Sequence, residues 1–274
     1  MSEPTLVLLH GLLGGPSCFD RTLSHIPFAS SRQVVRPTLS GHDVCTGTAR
    51  TDATGHLAIA SQIRGQSRRE SADSSVAFAA EVTRIGELLR QQCSKPVDLV
   101  GYSLGGRLAL GIAVAFPSLV RRLTLLSSRR GLDDPEERRL RRRSDEGWAR
   151  LIEDEGLDKF LARWWNQPLF STLRLCPAGI LEREVERRRQ LNPDGLAWAL
   201  RNLGLGSQPS YAEEVASLAI PVKLVTGSLD VKFCNLSQEL ALRLPNSKAV
   251  VVNGHGHALL LEAPEAVGRA IAEE

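Results

Sequence analysis

The run VDLVGYSLGGRLAL, from Val97 to Leu110, carries an apolar stretch onto a serine between glycines and then into a helix-forming segment. In Gly101-Tyr102-Ser103-Leu104-Gly105 the serine falls on the turn between a strand and a helix. Glycines there allow a backbone turn too tight for side chains. Such a turn lifts the Ser103 hydroxyl above the end of the strand. It also aims the Leu104 amide, in the first turn of the helix, at any oxyanion formed beside it. The plainer reading, a helix-capping serine flanked by packing glycines, leaves the full strand–turn–helix context unused.

A serine hydroxyl is a poor nucleophile or base until an imidazole takes its proton. The candidates are His10, His25, His42, His56, His255 and His257. VKLVTGSLD runs an apolar segment into a loop bearing Asp230, and AVVVNGHGH does the same for His255 and His257. An acid and an imidazole thus arrive at two further strand ends. At this level the two histidines remain alternatives, and Asp230 alone would pass for a helix cap. His10 in LVLLHGLLGG and His42 in SGHD read as buried rings bracing their own loops.

Positioning these groups requires an alternation of strands and helices. Leu6–Leu9, Gln33–Arg36, Val97–Val100, Leu123–Leu126, Val222–Val225 and Ala249–Val252 are near-continuous apolar runs, the pattern of parallel strands covered on both faces. Helical periodicity occupies Val76–Gln92, Arg107–Phe116, Leu236–Leu244 and Glu265–Glu273. The expected fold is therefore α/β, a mostly parallel central sheet with helices on both faces. Two segments interrupt it. Residues 43–75 are polar and weakly periodic, and read as a long surface excursion with the composition of a mobile segment. Residues 129–215 hold amphipathic helices rich in Arg, Glu and Trp but no strand. They form a helical cap inserted into a core made of residues 1–128 and 216–274.

With these motifs in place the chain resembles the α/β-hydrolase superfamily over nearly its whole length. That resemblance implies a triad in the chain order Ser103, Asp230, His257. His257 is preferred because it opens GHALLLEAP, matching the superfamily's GHxxxxExP run. The HG pair at His10-Gly11 implies that the backbone N–H of Leu12 is the second oxyanion donor, beside Leu104.

A narrower resemblance rests on GYSLGGR, GLDDPEERRLRRRSD, FLARWWNQPLFSTL, RRRQLNPDGLAWALRNLGLGSQPS and GSLDVKF, which occur in this order. Together they are similar to the MenH family, the 2-succinyl-6-hydroxy-2,4-cyclohexadiene-1-carboxylate synthases of menaquinone biosynthesis. The family's activity is that of a lyase, which eliminates pyruvate from a cyclohexene bearing succinyl and enolpyruvyl groups. By this resemblance Ser103, activated by His257 and Asp230, acts as a proton-abstracting base. Arg107, Arg141, Arg188 and Lys232 are implied to hold the substrate carboxylates, and Tyr102 and Trp164 to form an aromatic wall. Arg107 is fixed by the GGR continuation. Arg141 and Arg188 each sit in a run of arginines, so a neighbour in 138–143 or 187–189 is the alternative. Trp164 and Trp165 have a packing role as their alternative. The loop SGHD, in place of PGHG, and Ser128-Arg129-Arg130-Gly131, where many relatives have serine and proline before GL, depart from the pattern.

Composition narrows the remaining classes. Apolar residues make up 42% and charged residues 24%, values of a globular chain rather than a disordered one. A net charge of +3 is too small for a nucleic-acid-binding excess, although 29 arginines stand against five lysines. No apolar run approaches the ~18 residues of a membrane span, and the first ten residues lack a signal peptide's basic start. Five scattered cysteines with no CxxC pair argue against a disulfide framework and for a reducing cytoplasm. No GxGxxG follows a strand and no histidines or cysteines sit at metal-ligand spacing, so no cofactor and no metal are expected. The expected partner is a small polycarboxylate substrate. The competing activity is a serine carboxylesterase or thioesterase working through an acyl-enzyme at Ser103. A binding protein without activity would be expected to have lost a triad residue.

Overall fold

The computed structural model describes residues 3–45 and 74–273. Most of the 43–75 excursion, residues 46–73, therefore lies outside the described residues. Six parallel strands, β1 (Leu6–Leu9), β2 (Val34–Val35), β3 (Val97–Tyr102), β4 (Val120–Leu126), β5 (Val222–Gly227) and β6 (Ser247–Val252), form one sheet in the order β2-β1-β3-β4-β5-β6. The helices are α1 (Asp20–Leu23), α2 (Ser74–Gln92), α3 (Leu104–Ala115), α4 (Pro135–Glu155), α5 (Leu157–Trp165), α6 (Ile180–Arg188), α7 (Pro193–Leu203), α8 (Val231–Ala241), α9 (Leu259–Glu262) and α10 (Pro264–Ala272).

The alternation of side chains along the buried strands feeds two apolar layers. Val7, Leu9, Leu99, Leu123, Leu125 and Leu224 point into one layer, with Phe78 and Ile85 of α2 and Leu108 and Ile112 of α3. Leu6, Leu8, Val100, Leu126 and Val225 point into the other, with Phe19 and with Val267 and Ile271 of α10. A one-residue slip in register would exchange the two sets.

Each of the six strands falls where the apolar runs predicted it, but two helices begin earlier than their periodicity suggested. Helix α3 starts at Leu104, where the turn after Ser103 places its first residue, ahead of the periodicity from Arg107 because close packing requires Gly105 and Gly106, poor helix formers, in its first turn. Helix α8 starts at Val231 rather than Leu236. The Asp230 carboxylate caps it by accepting the Phe233 N–H at 3.3 Å.

Helices α4 to α7 lie between β4 and β5 in the chain and build a third apolar cluster around Ile152, Phe160, Trp164, Phe170 and Leu196. Helix α7 belongs to two clusters at once. Leu196, Ala197 and Leu200 face the inserted helices, whereas Ala199 and Leu203 face the sheet layer. The SGHD loop is bound to the same helix. Gly41, at φ 81°, lies so close to Gly195 that a Cβ there would meet the Gly195 carbonyl at 2.3 Å.

That loop is held by buried polar groups. The Ser40 N–H and hydroxyl both donate to Glu81, which also accepts two bonds from Arg84. Burial alone would raise the Glu81 pKa, but these donors outweigh it and hold the carboxyl below its usual range. His10 is fully buried, accepts the Leu39 N–H at its Nε2 and donates from Nδ1 to the Gly11 carbonyl. His42 lies edge-on to it at 5.0 Å and donates from Nδ1 to the Ser40 carbonyl. Burial pushes the pKa of His10 down to about 3 and of His42 to about 4, His42 adding to the effect on His10. Both are neutral in the folded state at pH 7. Below pH 6.5 the unfolded chain takes up protons that the folded chain refuses, so stability is complete above that pH and falls as pH drops towards 4. Each histidine contributes up to about 1.4 kcal/mol per pH unit in that window. Urea unfolding at pH 7, 6 and 5 should show this decline, and His42→Asn, which keeps a donor towards Ser40, should flatten it by about one proton.

Candidate active site

Three non-glycine residues among those described have positive φ: Leu13, Ser103 and Ser127. They follow the C-terminal ends of β1, β3 and β4, which are neighbours in the sheet. Strain of this kind is stored where the surrounding structure over-determines the backbone. At Ser103 (φ 51°, ψ −110°) the determinants are visible. The Ser103 N–H donates to the Leu126 carbonyl at 2.9 Å, and the Ser103 carbonyl accepts the Ser128 hydroxyl at 3.0 Å. The helix beyond packs directly on β1: a Cβ on Gly105 would meet the Leu9 carbonyl oxygen at 2.1 Å. A Cβ on Gly101 would meet the Gly105 carbonyl at 2.4 Å. The glycines of GYSLGG are thus demanded by backbone-to-backbone contact.

Ser103 Oγ lies 3.3 Å from His257 Nε2, and His257 Nδ1 lies 2.7 Å from Asp230 Oδ2. Asp230 and His257 are buried. The carboxylate can only accept, so Nδ1 carries the proton and Nε2 is left basic towards the serine. Phe233, Tyr102 and Phe170 surround the imidazole, with ring centroids at 4.5, 5.9 and 6.1 Å. His255, the alternative, contributes its carbonyl to the Leu229 N–H and does not line the cavity.

The serine opens into a cavity of about 530 Å³. Leu12 and Leu104 line it beside Ser103, and as the first residue of α3 Leu104 has no acceptor for its N–H within the helix. Tyr102, Arg107, Arg141, Trp164, Arg188 and Lys232 line it as well. Every residue assigned from the sequence to the triad, the oxyanion hole or substrate binding therefore borders one space. The helix phase sorts the arginine runs. Arg138 and Arg142 donate to the carbonyls of Gln208 and Gly206, Arg139 pairs with Glu136, and Arg141 faces the cavity beside Asp145 at 2.8 Å. Arg187 pairs with Glu184 and Arg189 with Asp158 and Glu186, while Arg188, itself paired with Glu184 at 2.5 Å, lies 4.9 Å over the Trp165 ring and lines the cavity. Trp164 serves both readings, lining the cavity and packing on Trp148 and Phe160.

Charge accumulates on one side. Arg107 donates to the Leu203 carbonyl at 2.9 Å and to Gln208 Oε1 at 3.3 Å, and lies over the Phe78 ring. Burial and then the positive charge of Arg141 push its pKa down to about 9, which leaves it a cation at neutral pH. Burial raises the pKa of Asp145 in spite of Arg141.

One important residue entered the sequence reading only as part of a motif. Glu262 accepts the N–H of Gly256 at 2.6 Å and of Ala258 at 3.0 Å, the two amides flanking His257. It also accepts the Thr172 hydroxyl at 3.0 Å, from the Pro168–Leu175 turn that brings Leu169 and Phe170 to the cavity. The fifth position after the histidine is occupied by glutamate because the loop needs a carboxylate folded back beneath it. Glu262→Gln replaces one acceptor by a donor facing an N–H. It should lower turnover roughly tenfold to a hundredfold by displacing His257, measured by steady-state kinetics, with the fold checked by circular dichroism.

A family model described as the alpha/beta hydrolase family matches residues 6–270. A Bacillus subtilis (strain 168) protein, provisionally named 2-succinyl-6-hydroxy-2,4-cyclohexadiene-1-carboxylate synthase, is 38% identical over 193 residues, 70% of each chain. The protein bearing that name in Photorhabdus laumondii is 29% identical over 256 residues, 92% of this chain and 80% of the other. Among solved structures, MenH from S. aureus superposes with a TM-score of 0.83 at 24% identity, covering 99% of this chain and 92% of that one.

Proposed function

This chain belongs to the alpha/beta hydrolase family, and from that premise we propose that it is a 2-succinyl-6-hydroxy-2,4-cyclohexadiene-1-carboxylate synthase, a lyase of menaquinone biosynthesis. The observation that carries this reading is the cavity wall. Arg107, Arg141, Arg188 and Lys232 converge on the space above Ser103 among apolar and aromatic side chains, a set of cations suited to a substrate with three carboxylates. Residues 129–215 act as the helical cap that supplies Arg141, Trp164 and Arg188, and residues 1–128 and 216–274 as the core that supplies the triad. No helix among the described residues is long and apolar enough to cross a membrane, and the chain's cysteines are free, which suits a reducing cytoplasm.

The chemistry follows from the substrate. In 2-succinyl-5-enolpyruvyl-6-hydroxy-3-cyclohexene-1-carboxylate, the ring C–H next to the succinyl ketone is the acidic one. Ser103 Oγ, its own proton drawn off by His257 Nε2, removes that hydrogen. The carbanion is delocalised onto the ketone oxygen, where the Leu12 and Leu104 amides stabilise the charge. The electron pair then closes the C2–C3 double bond, the ring double bond moves to C4–C5, and the C5–O bond breaks. The departing enolate of pyruvate takes the proton held by His257 and ketonises. Asp230 keeps the imidazole in its Nδ1–H form and stabilises the imidazolium between the two transfers.

Supplied with this substrate, the enzyme should release pyruvate and build diene absorbance together, well above the uncatalysed rate. Hydrolysis of simple esters without diene would favour the esterase instead. Ser103→Ala, Asp230→Asn and His257→Ala should each lose roughly a hundredfold to ten-thousandfold in kcat, the range for a positioned acid–base group. Arg107→Ala should act mainly by raising KM, as steady-state kinetics would record.

A further inference from the structure

The tetrapeptide Ser128-Arg129-Arg130-Gly131 follows the end of β4, and its two arginines go to different places. Arg130 forms a two-pronged pair with Asp133, at 2.5 and 2.6 Å, on the outside of the molecule. Arg129 turns inward and lines the cavity with Arg107 and Arg141, its Nε anchored on the Gly131 carbonyl at 3.1 Å. Gly131, at φ 119°, folds the chain back so that this anchor is within reach.

The charge balance of this corner is lopsided. Among the described residues, neither Arg107 nor Arg129 has a carboxylate within ion-pair distance, and Asp145 is the partner of Arg141 alone. Burial lowers the Arg129 pKa, and Arg130 and Arg141 lower it further against the opposing pull of Glu137. Arg107, Arg129 and the partly exposed Arg141 share this corner with Asp145, while Glu137 and Asp133 act on Arg129 from beyond ion-pair distance, so an anion that joins the three guanidiniums offsets their mutual repulsion. Guanidinium forks also suit a carboxylate, since each can present two parallel N–H groups.

We propose that Arg129 is a further substrate-binding residue of this chain, which holds a substrate carboxylate jointly with Arg107 and Arg141 and biases the site towards more highly charged substrates. The inference rests on the polycarboxylate reading of the cavity. It does not depend on what Ser103 then does to the bound molecule.

The test uses citrate as an unreactive polycarboxylate probe, titrated calorimetrically into the wild-type enzyme and into Arg129→Ser, Arg129→Lys and Arg139→Ser, alongside KM for the cyclohexene substrate. Loss of one charge-assisted contact should weaken citrate binding and raise KM about tenfold in Arg129→Ser, with a larger effect on KM than on kcat. Arg129→Lys, which keeps the charge without the fork, should fall between, and it serves as well if the serine variant folds poorly. Arg139→Ser, remote from the cavity, should match the wild type. Equal citrate affinity in the wild type and both Arg129 variants, including no binding in any, overturns the proposal. An enzyme that binds citrate through Arg129 yet forms no diene would refute the lyase reading and leave this one standing.

Discussion

The backbone at Ser103 is held at positive φ with ψ −110°, a conformation that a serine adopts only under compulsion. The compulsion comes from packing between main chains. Helix α3 lies on β1 with no room for a side chain at Gly105, and β3 turns back so sharply that Gly101 faces the same helix. Because the turn cannot relax, the hydroxyl stands at the carboxyl end of the sheet, where the β5 and β6 loops deliver Asp230 and His257. Around this fixed point the rest of the site needs only modest adjustment. Glu262 tightens the histidine loop, and Ser128 braces the serine carbonyl.

The cavity's second half depends on helix phase and on burial. Helix α4 turns Arg138 and Arg142 onto carbonyls of the 206–208 segment, so that Arg141 alone of its immediate neighbours is directed into the cavity. Helix α7 fastens this assembly to the sheet by contributing to both apolar clusters. The cap arginines are therefore placed relative to the serine by packing, with little left to loop conformation. In such surroundings a guanidinium lacking a carboxylate partner is uncomfortable, and Arg107 shows the strain in its depressed pKa. A carboxylate ligand supplies what the protein withholds.

Much of this could be read from residue types and spacing. The strand runs, the strained elbow and the Asp230 and His257 loops each carry a local signal, because glycine, apolar alternation and strand-end polar residues report backbone constraints directly. Resolving the arginine runs needed three dimensions. Five arginines within six positions look alike until helix phase and neighbouring carbonyls separate them. The helix start at Val231 was hidden because a capping aspartate stands where periodicity would otherwise begin. Arg129 was visible only as a departure from a familiar loop, and the burial that makes it a candidate ligand group has no sequence signature. The arginine excess itself divides in two. Many of these side chains serve ordinary ion pairs, among them Arg32, Arg121 and Arg122 on the buried Asp98, and a small set lines the cleft.

The central claim is that Ser103 serves this cation-lined cavity as a base and is not acylated. Substrate carrying deuterium on the ring carbon that bears the succinyl group tests it most directly, with diene formation followed over a single turnover. Proton abstraction by Ser103 predicts a clear slowing of both diene formation and pyruvate release relative to the protiated substrate, and a much lower rate with either substrate in Ser103→Ala. Equal rates for the two isotopic substrates, with a covalent adduct accumulating on Ser103, would contradict the account.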